Sequence, residues 1–275
     1  ALELGPDATL VSLADSGLRG CGGAGFQTAA KWRFCSQTQD SNRVVVCNAD
    51  EGEPGTFKDR VLLQQYADRL IEGMTVCAAT IGATQGFVYL RGEYRYLLEP
   101  LQKILDQRRS QKLLGDNILD QDGFNFDITI HMGAGAYVCG EESALIESLE
   151  GKRGVPRIRP PFPVTSGYLG RPTVVNNVET FCLAAMITAH GANWFNNHGT
   201  EQSPGTKLLS ISGDCKHPGI YEFPFGTRIQ TLLDACDAKD VQAIQVGGPS
   251  GQLIDPSQFN RVIAFEDLAT GGSFM

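Results

Sequence analysis

Three short apolar runs, each followed by a helical pattern, constrain most strongly what this chain can fold into. Arg43–Cys47 holds the β-branched core Val44-Val45-Val46, Phe87–Leu90 is a second run, and Phe126–His131 is a third that alternates. Runs of this length and composition read as strands. Helical periodicity follows over Lys58–Gln65 and Asp68–Ile81, over Tyr94–Gln107 with a basic end, and again after Gly140. Strand–helix alternation of this kind predicts a mostly parallel α/β sheet. Such sheets bind ligands beyond the carboxyl ends of their strands. The segments that follow the runs are therefore where function is to be sought.

Four segments stand out. Gly17–Trp32 packs four glycines, Gly20, Gly22, Gly23 and Gly25, into six residues before a helical pattern containing Lys31. Dense glycine lets backbone N–H groups approach an anion, and a helix N-terminus adds partial positive charge. The loop follows a short helix over 8–16, capped by Asp7 and stopped by Gly17, rather than a strand, and it lacks P-loop spacing. Taken alone, a phosphate cradle and a surface turn both remain open. The first strand runs into Asn48–Asp59, with acceptor side chains at Asn48, Asp50, Glu51 and Glu53; a solvated acidic loop is the plainer alternative. The third strand runs into a second glycine-rich turn, Met132–Leu145, with Glu141 and Glu142 opening a helix, where simple capping also accounts for them. Gly151–Arg171 is basic and too proline-dense for a helix or a central strand. Thr173–Thr180 then leads into a helix to about His190, with Asn177 as its cap.

Beyond Asn193–Ser203 the character changes. Lys207–Ser212, Gly219–Phe223, Thr227–Ala235, Gln242–Val246 and Val262–Phe265 read as strand, strand, helix, strand, strand, the order of a β-grasp module, and Gly271–Met275 shows no terminal element. The expected division is 1–200 for an α/β domain and 204–275 for the small module. A net charge of −8 argues against nucleic acid. No apolar run approaches the roughly 20 residues of a bilayer span, and the first residues lack the regions of a signal peptide. A cytoplasmic location follows as the expectation. The eight cysteines are scattered without a C-x-x-C, so inert buried thiols are expected rather than a metal site.

Taken together, GLRGCGGAGFQTAAKW, NADEGEPGTFKDR, GAGAYVCGEESALIESLEGKRGVPR with the following RPPFP, and NNVETF resemble one family. It is the flavin- and NADH-binding (51-kDa-type) subunit of NADH:quinone oxidoreductase with its soluble relatives. The resemblance runs from about residue 8 to the end. The later stretches SISGDCKHPGIYE, QVGGPSGQ and FEDLATGGSF look closest to the diaphorase flavoprotein of NAD-reducing [NiFe] hydrogenase. The resemblance implies a Rossmann-like FMN-binding domain followed by a ubiquitin-like, SLBB-type β-grasp domain. It implies hydride exchange between NAD(H) and FMN, and electron exchange with an iron–sulfur subunit and a hydrogenase. Respiratory and formate-linked flavoproteins are the nearest alternatives; a non-redox nucleotide-binding interaction module is the alternative of another class.

Residue by residue, the resemblance gives FMN the glycine backbone at Gly20 and Gly22, with Lys31, Asn176 and Asn177. Asn48, Asp50 and Glu51 would meet the ring edge or ribityl hydroxyls. Tyr137, Gly140 and Glu141 would border the ring, with Val175 and Thr180 supporting the same wall. NAD would take Gly23, Phe26, Phe34, Glu53, Glu142, Arg159 and Phe162. No general acid or base is implied, since hydride passes directly between cofactors. Cys21 stands where many relatives carry Arg, and Gly52 where some carry Ser. The family's [4Fe-4S] ligand run, C-x-x-C-x-x-C, is not found in this sequence, which resembles a fragment cut after the β-grasp module.

Overall fold

The protein's structure, a computed structural model, describes residues 3–275. Its first part runs α1 (Pro6–Ser16), α2 (Thr28–Ser36), β1 (Arg43–Ala49), α3 (Lys58–Gln65), α4 (Ala67–Ile81), β2 (Ala83–Leu90), α5 (Leu98–Ser110) and β3 (Asp127–Met132). It continues through α6 (Glu142–Leu149), β4 (Thr173–Asn177), α7 (Val178–His190) and α8 (Ala192–Asn196). The last part holds β5 (Thr206–Ile211), β6 (Gly219–Pro224), α9 (Ile229–Ala235), β7 (Ile244–Val246), β8 (Gln252–Ile254) and β9 (Ser273–Phe274).

The first sheet has the order β3-β2-β1-β4, and all its pairings are parallel. Both faces are covered, as a parallel sheet requires. Along β1, Val45 and Cys47 belong to a core with Trp32, Leu70, Met74 and Phe181, while Val44 and Val46 join Phe87, Tyr89, Leu145 and Val175. From β1 the chain steps outward to β2 and β3, then returns to the other side as β4. The direction of winding therefore reverses between β1 and β4, where such sheets open a crevice. The second sheet has the order β6-β5-β9-β7-β8, a β-grasp arrangement around α9 with its own core of Leu209, Ile229, Leu232, Ile244 and Phe274.

Several sequence expectations are corrected. The N-cap of α1 is Gly5, not Asp7; Pro6 opens the helix, where its missing N–H costs nothing. The helix expected from Tyr94 begins at Leu98, after a 3-10 turn over Gly92–Leu97. Thr173–Asn177, expected to lead into a helix, is β4, a buried strand of the first sheet. Val262–Phe265 forms only isolated bridges, from Val262 to Arg228 and Ile263 to Leu268. The strand expected there is supplied instead by β9, which lies between β5 and β7.

Candidate functional site

Two adjoining cavities, of about 600 and about 590 Å³, open beyond the carboxyl ends of β1 and β4. Gly22, Asn48, Gly140, Glu141 and Asn177 line both, so they are two lobes of one crevice.

The first lobe is aromatic. Phe26, Phe34 and Phe162 line it with exposures of 49, 51 and 52%, so these rings are open to the cavity and solvent rather than packed in a core. Gly20, Lys31, Glu142, Arg159, Val175 and Asn176 complete its chemistry. Lys31 Nζ donates to Glu142 Oε2 and to the Val175 carbonyl, each at 3.0 Å. Arg159 lies 3.6 Å from Glu141 and 3.7 Å from Glu142, and its guanidinium sits 5.8 Å from the centre of the Phe162 ring. The two cations thus reach the lobe already tied to acids at the start of α6.

The second lobe is acidic. Asp50, Glu51, Glu53, Asp59, Tyr137 and Glu141 line it, with Gly23 at its rim. Asp50 Oδ2, Glu53 Oε1, Glu141 Oε1 and Thr56 Oγ1 are buried oxygens without a hydrogen-bond partner. Three of the four are carboxylate oxygens, so the lobe is short of donors and suits hydroxyl, amide or ring N–H groups. Burial pushes the Asp50 carboxyl up to about 6, with Arg91 opposing. Burial also works to raise Glu141, but the Ser143 hydroxyl and the Ser143 and Ala144 N–H groups outweigh it and hold it below its ordinary value. Tyr137 donates to Glu53 Oε2 at 2.7 Å, and that carboxylate raises the phenol.

Other expected residues have their side chains engaged within the protein. Glu51 accepts from the Asp59 N–H at 2.7 Å, the Arg60 N–H at 3.2 Å and the Tyr94 hydroxyl at 2.8 Å, which fixes the start of α3. Asn176 accepts from Trp32 Nε1 at 2.9 Å, while Asn177 caps α7 and donates to Asp59 at 2.6 Å. Thr180 lines neither lobe; its hydroxyl accepts the Cys21 N–H at 2.9 Å and so ties the glycine loop to α7. A Cβ at Gly52 would lie 3.2 Å from the Tyr137 ring, so a side chain there needs that ring to give by a few tenths of an ångström.

Sequence reasoning missed two features. Lys58, which reads in the sequence as a helix starter, is buried with Asp59 at 2.6 Å and Glu179 at 2.9 Å, and lines the acidic lobe. Burial would lower its pKa, but those carboxylates outweigh it and raise it. Its place three residues after the Pro54-Gly55 turn of an acceptor-rich segment was the available signal. The second sheet also reaches the crevice: Gly247, Ser250, Gly251, Ala269, Thr270 and Gly271 line the acidic lobe. Among the described residues no group of three or more His, Cys, Asp or Glu could hold a metal ion. Seven of the eight cysteines are buried, and Cys215 is partly so.

Comparisons with known proteins place the chain in a family. The chain is 52% identical over 274 residues to the NAD-reducing hydrogenase HoxS subunit alpha of Cupriavidus necator, covering 99% of this chain and 46% of that one. It is 42% identical to an NADH-quinone oxidoreductase subunit of Escherichia coli, covering 98% of this chain and 62% of the relative. It is 44% identical to NADP-reducing hydrogenase subunit HndC of Solidesulfovibrio fructosivorans, covering 94% and 54%. A crystal structure of NAD+-reducing [NiFe]-hydrogenase in the H2-reduced state superimposes with a TM-score of 0.93 at 51% identity, covering 98% of this chain and 46% of that one. The chain thus spans about half to two thirds of the length of these relatives. Residues 13–185 match the model of the Nuo51 FMN-binding domain, and the chain belongs to that family.

Proposed function

We propose that this chain is the FMN- and NAD(H)-binding part of a diaphorase, exchanging hydride between nicotinamide and flavin and passing electrons to an iron–sulfur partner of a hydrogenase. The observation that carries this reading is one crevice with two chemically distinct lobes at the winding reversal of a family FMN-binding sheet. The residues fit the cofactors. Carboxylate oxygens of Asp50 and Glu141 that accept no hydrogen bond suit ribityl hydroxyls and ring N–H groups of the flavin, that of Glu53 suits ribose hydroxyls or the carboxamide of NAD(H), and Gly22 and Gly140 bring bare backbone to both lobes. Phe26, Phe34 and Phe162 suit an adenine, and Lys31 with Arg159 suits phosphates.

Bound FMN would supply a two-electron acceptor able to release electrons singly. The chain's own residues orient and enclose. Thr180 and Asn177 hold the glycine loop and the α7 start, Asn48 donates to the Gly140 carbonyl at 2.8 Å, and the Tyr137–Glu53 pair stands at the acidic lobe. Holding two reactants in register is the larger part of catalysis for such a transfer. The greater identity to the hydrogenase subunit favours that complex over the respiratory one. The proposed domains are 1–200 and 204–275, and a cytoplasmic location accompanies the reading; no helix among the described residues is long and apolar enough to cross a membrane. The [4Fe-4S] cluster of the full-length family is assigned outside these residues.

The test is to purify the chain, reconstitute it with flavins and release the bound flavin by heat. FMN on chromatography, NADH-driven ferricyanide reduction and essentially no iron are expected. FAD, or no flavin, overturns the reading; nucleotide binding without flavin would instead favour the non-redox module.

A further inference from the structure

The glycine loop is held from outside by residues far along the chain. At its entrance, Gly17 has a φ of +69° and lies under Pro204, whose Cγ would be 2.5 Å from a Cβ there. At its middle, a Cβ on Gly271 would lie 3.5 Å from the Gly22 carbonyl oxygen and 3.6 Å from Gly23 Cα. At its exit, buried Gly25 has a φ of +63° and sits beneath the Phe265 ring, 2.6 Å from Cε1 to the place of a Cβ. That ring is itself well anchored. It packs on Phe225 at 5.1 Å between centroids, the Arg19 guanidinium lies 5.0 Å from its centre, and the Phe265 N–H donates to Ser203 Oγ at 2.9 Å. Phe26, which follows Gly25, forms a wall of the aromatic lobe, and its carbonyl accepts the Gly20 N–H at 2.9 Å.

We propose that Phe265 is a positioning residue for the cofactor crevice: the second sheet's core presses this ring onto Gly25 and so holds the loop Gly20–Phe26 in its binding shape. The proposal rests on the FMN reading above. Four glycines leave the loop with a large conformational freedom to lose. Apparent affinity falls in proportion to the fraction of molecules with the loop in its competent shape. Neither Thr180, which holds only the Cys21 N–H, nor the Gly20–Phe26 hydrogen bond restrains the span between them. Phe265 does so from the side away from the ligand, without touching it: it lines neither lobe.

The experiment compares Phe265→Leu and Phe265→Tyr in the full chain. Three quantities are read: the FMN dissociation constant, amide exchange across residues 20–26 without flavin, and the melting temperature. Phe265→Leu is expected to weaken FMN binding about tenfold and to speed exchange at the Gly20 amide at least fivefold. Phe265→Tyr, which keeps the ring, stays within twofold on both. A Phe265→Leu variant that melts earlier but keeps parental exchange and affinity overturns the proposal, because the ring then serves only the second core. Should that variant melt below the assay temperature, Phe265→Met takes its place with the same expectations. The coupled pair Phe265→Leu with Gly25→Ala adds an independent reading: it should bind FMN more tightly than Gly25→Ala alone, since the new methyl gains room. Multiplying losses would overturn the contact. Exchange is read without flavin, so a parent chain that binds no FMN would sink the functional reading and leave this measurement standing.

Discussion

Asp50 joins burial to an oxygen that has no partner, and its proton follows from both. Its folded pKa of about 6 lies above the ordinary value of 3.8, so between those values the folded chain binds more protons than the unfolded one. Stability contributed by the neutral carboxyl is therefore present below pH 4 and is lost as pH rises toward 6. Asp50→Asn, neutral at all pH, should raise the melting temperature of the flavin-free chain more at pH 7 than at pH 4.5. An equal gain at both values would show that Asp50 is already ionised at the lower one. The position of Asp50 after a strand was legible, because a β-branched run ending in acceptors marks the ligand end of a parallel sheet. Its company was not. Glu51 turns inward to the Asp59 and Arg60 N–H groups and to Tyr94, 43 residues further along the chain, while Asp50 Oδ2 is left without a hydrogen bond.

Helices α4 and α7 cross where Gly73 meets the backbone of Phe181, and a Cβ at Gly73 would fall on the Phe181 carbonyl oxygen. Helix propensity alone makes Gly→Ala favourable by about 1 kcal/mol in a helix interior. Here the collision wins. Gly73→Ala should cost about 1–3 kcal/mol by forcing the two helices apart, the range of overpacking, read as a fall in the denaturant midpoint. A stabilised variant would mean the crossing is loose enough to relax. Helix α4 was readable from its periodicity, and α7 from the Asn177 cap that opens it. Strand β4 was not, because its five residues, Thr173–Asn177, run directly into α7 with Asn177 shared as the cap, leaving no turn to separate them. The shift of α5 from Tyr94 to Leu98 has a similar cause, since a 3-10 turn keeps the helical spacing without being part of the helix.

At the scale of the molecule the two sheets are joined by charge as well as by packing. Lys207 of β5 meets Glu179 of α7 at 2.5 Å, the Leu208 N–H reaches the same carboxylate at 2.9 Å, and Lys58 and Asp59 extend the group to the acidic lobe, all nearly inaccessible to water. Removing one member leaves a buried carboxylate short of its counter-charge, a loss of about 3–5 kcal/mol. Lys207→Met should therefore lower the denaturant midpoint sharply, and adding Glu179→Gln should restore part of it. Independent, additive losses would show that the two residues do not depend on each other. Nothing in the spacing of Lys58, Glu179 and Lys207 announces this group; it exists only once the second sheet docks. The β-grasp order was legible from the alternation of strand and helix patterns. Its middle strand was not, because Ser273–Phe274, two residues beside glycines, carries no periodicity to detect.

That short strand has a consequence in time. On the ribosome a chain emerges from its N-terminus at roughly 5–20 residues per second, and its earlier parts fold first. All four strands of the parallel sheet have emerged by Asn177, while β9 comes only at Ser273. The intervening segment takes on the order of 5–20 seconds to make at those rates. Through that interval the crevice has its floor and its aromatic wall, while Thr270 and Gly271, the last residues to line its acidic side, are not yet in place. A nascent chain at that stage presents the crevice with one flank still open, and translation through Ser273–Phe274 closes it.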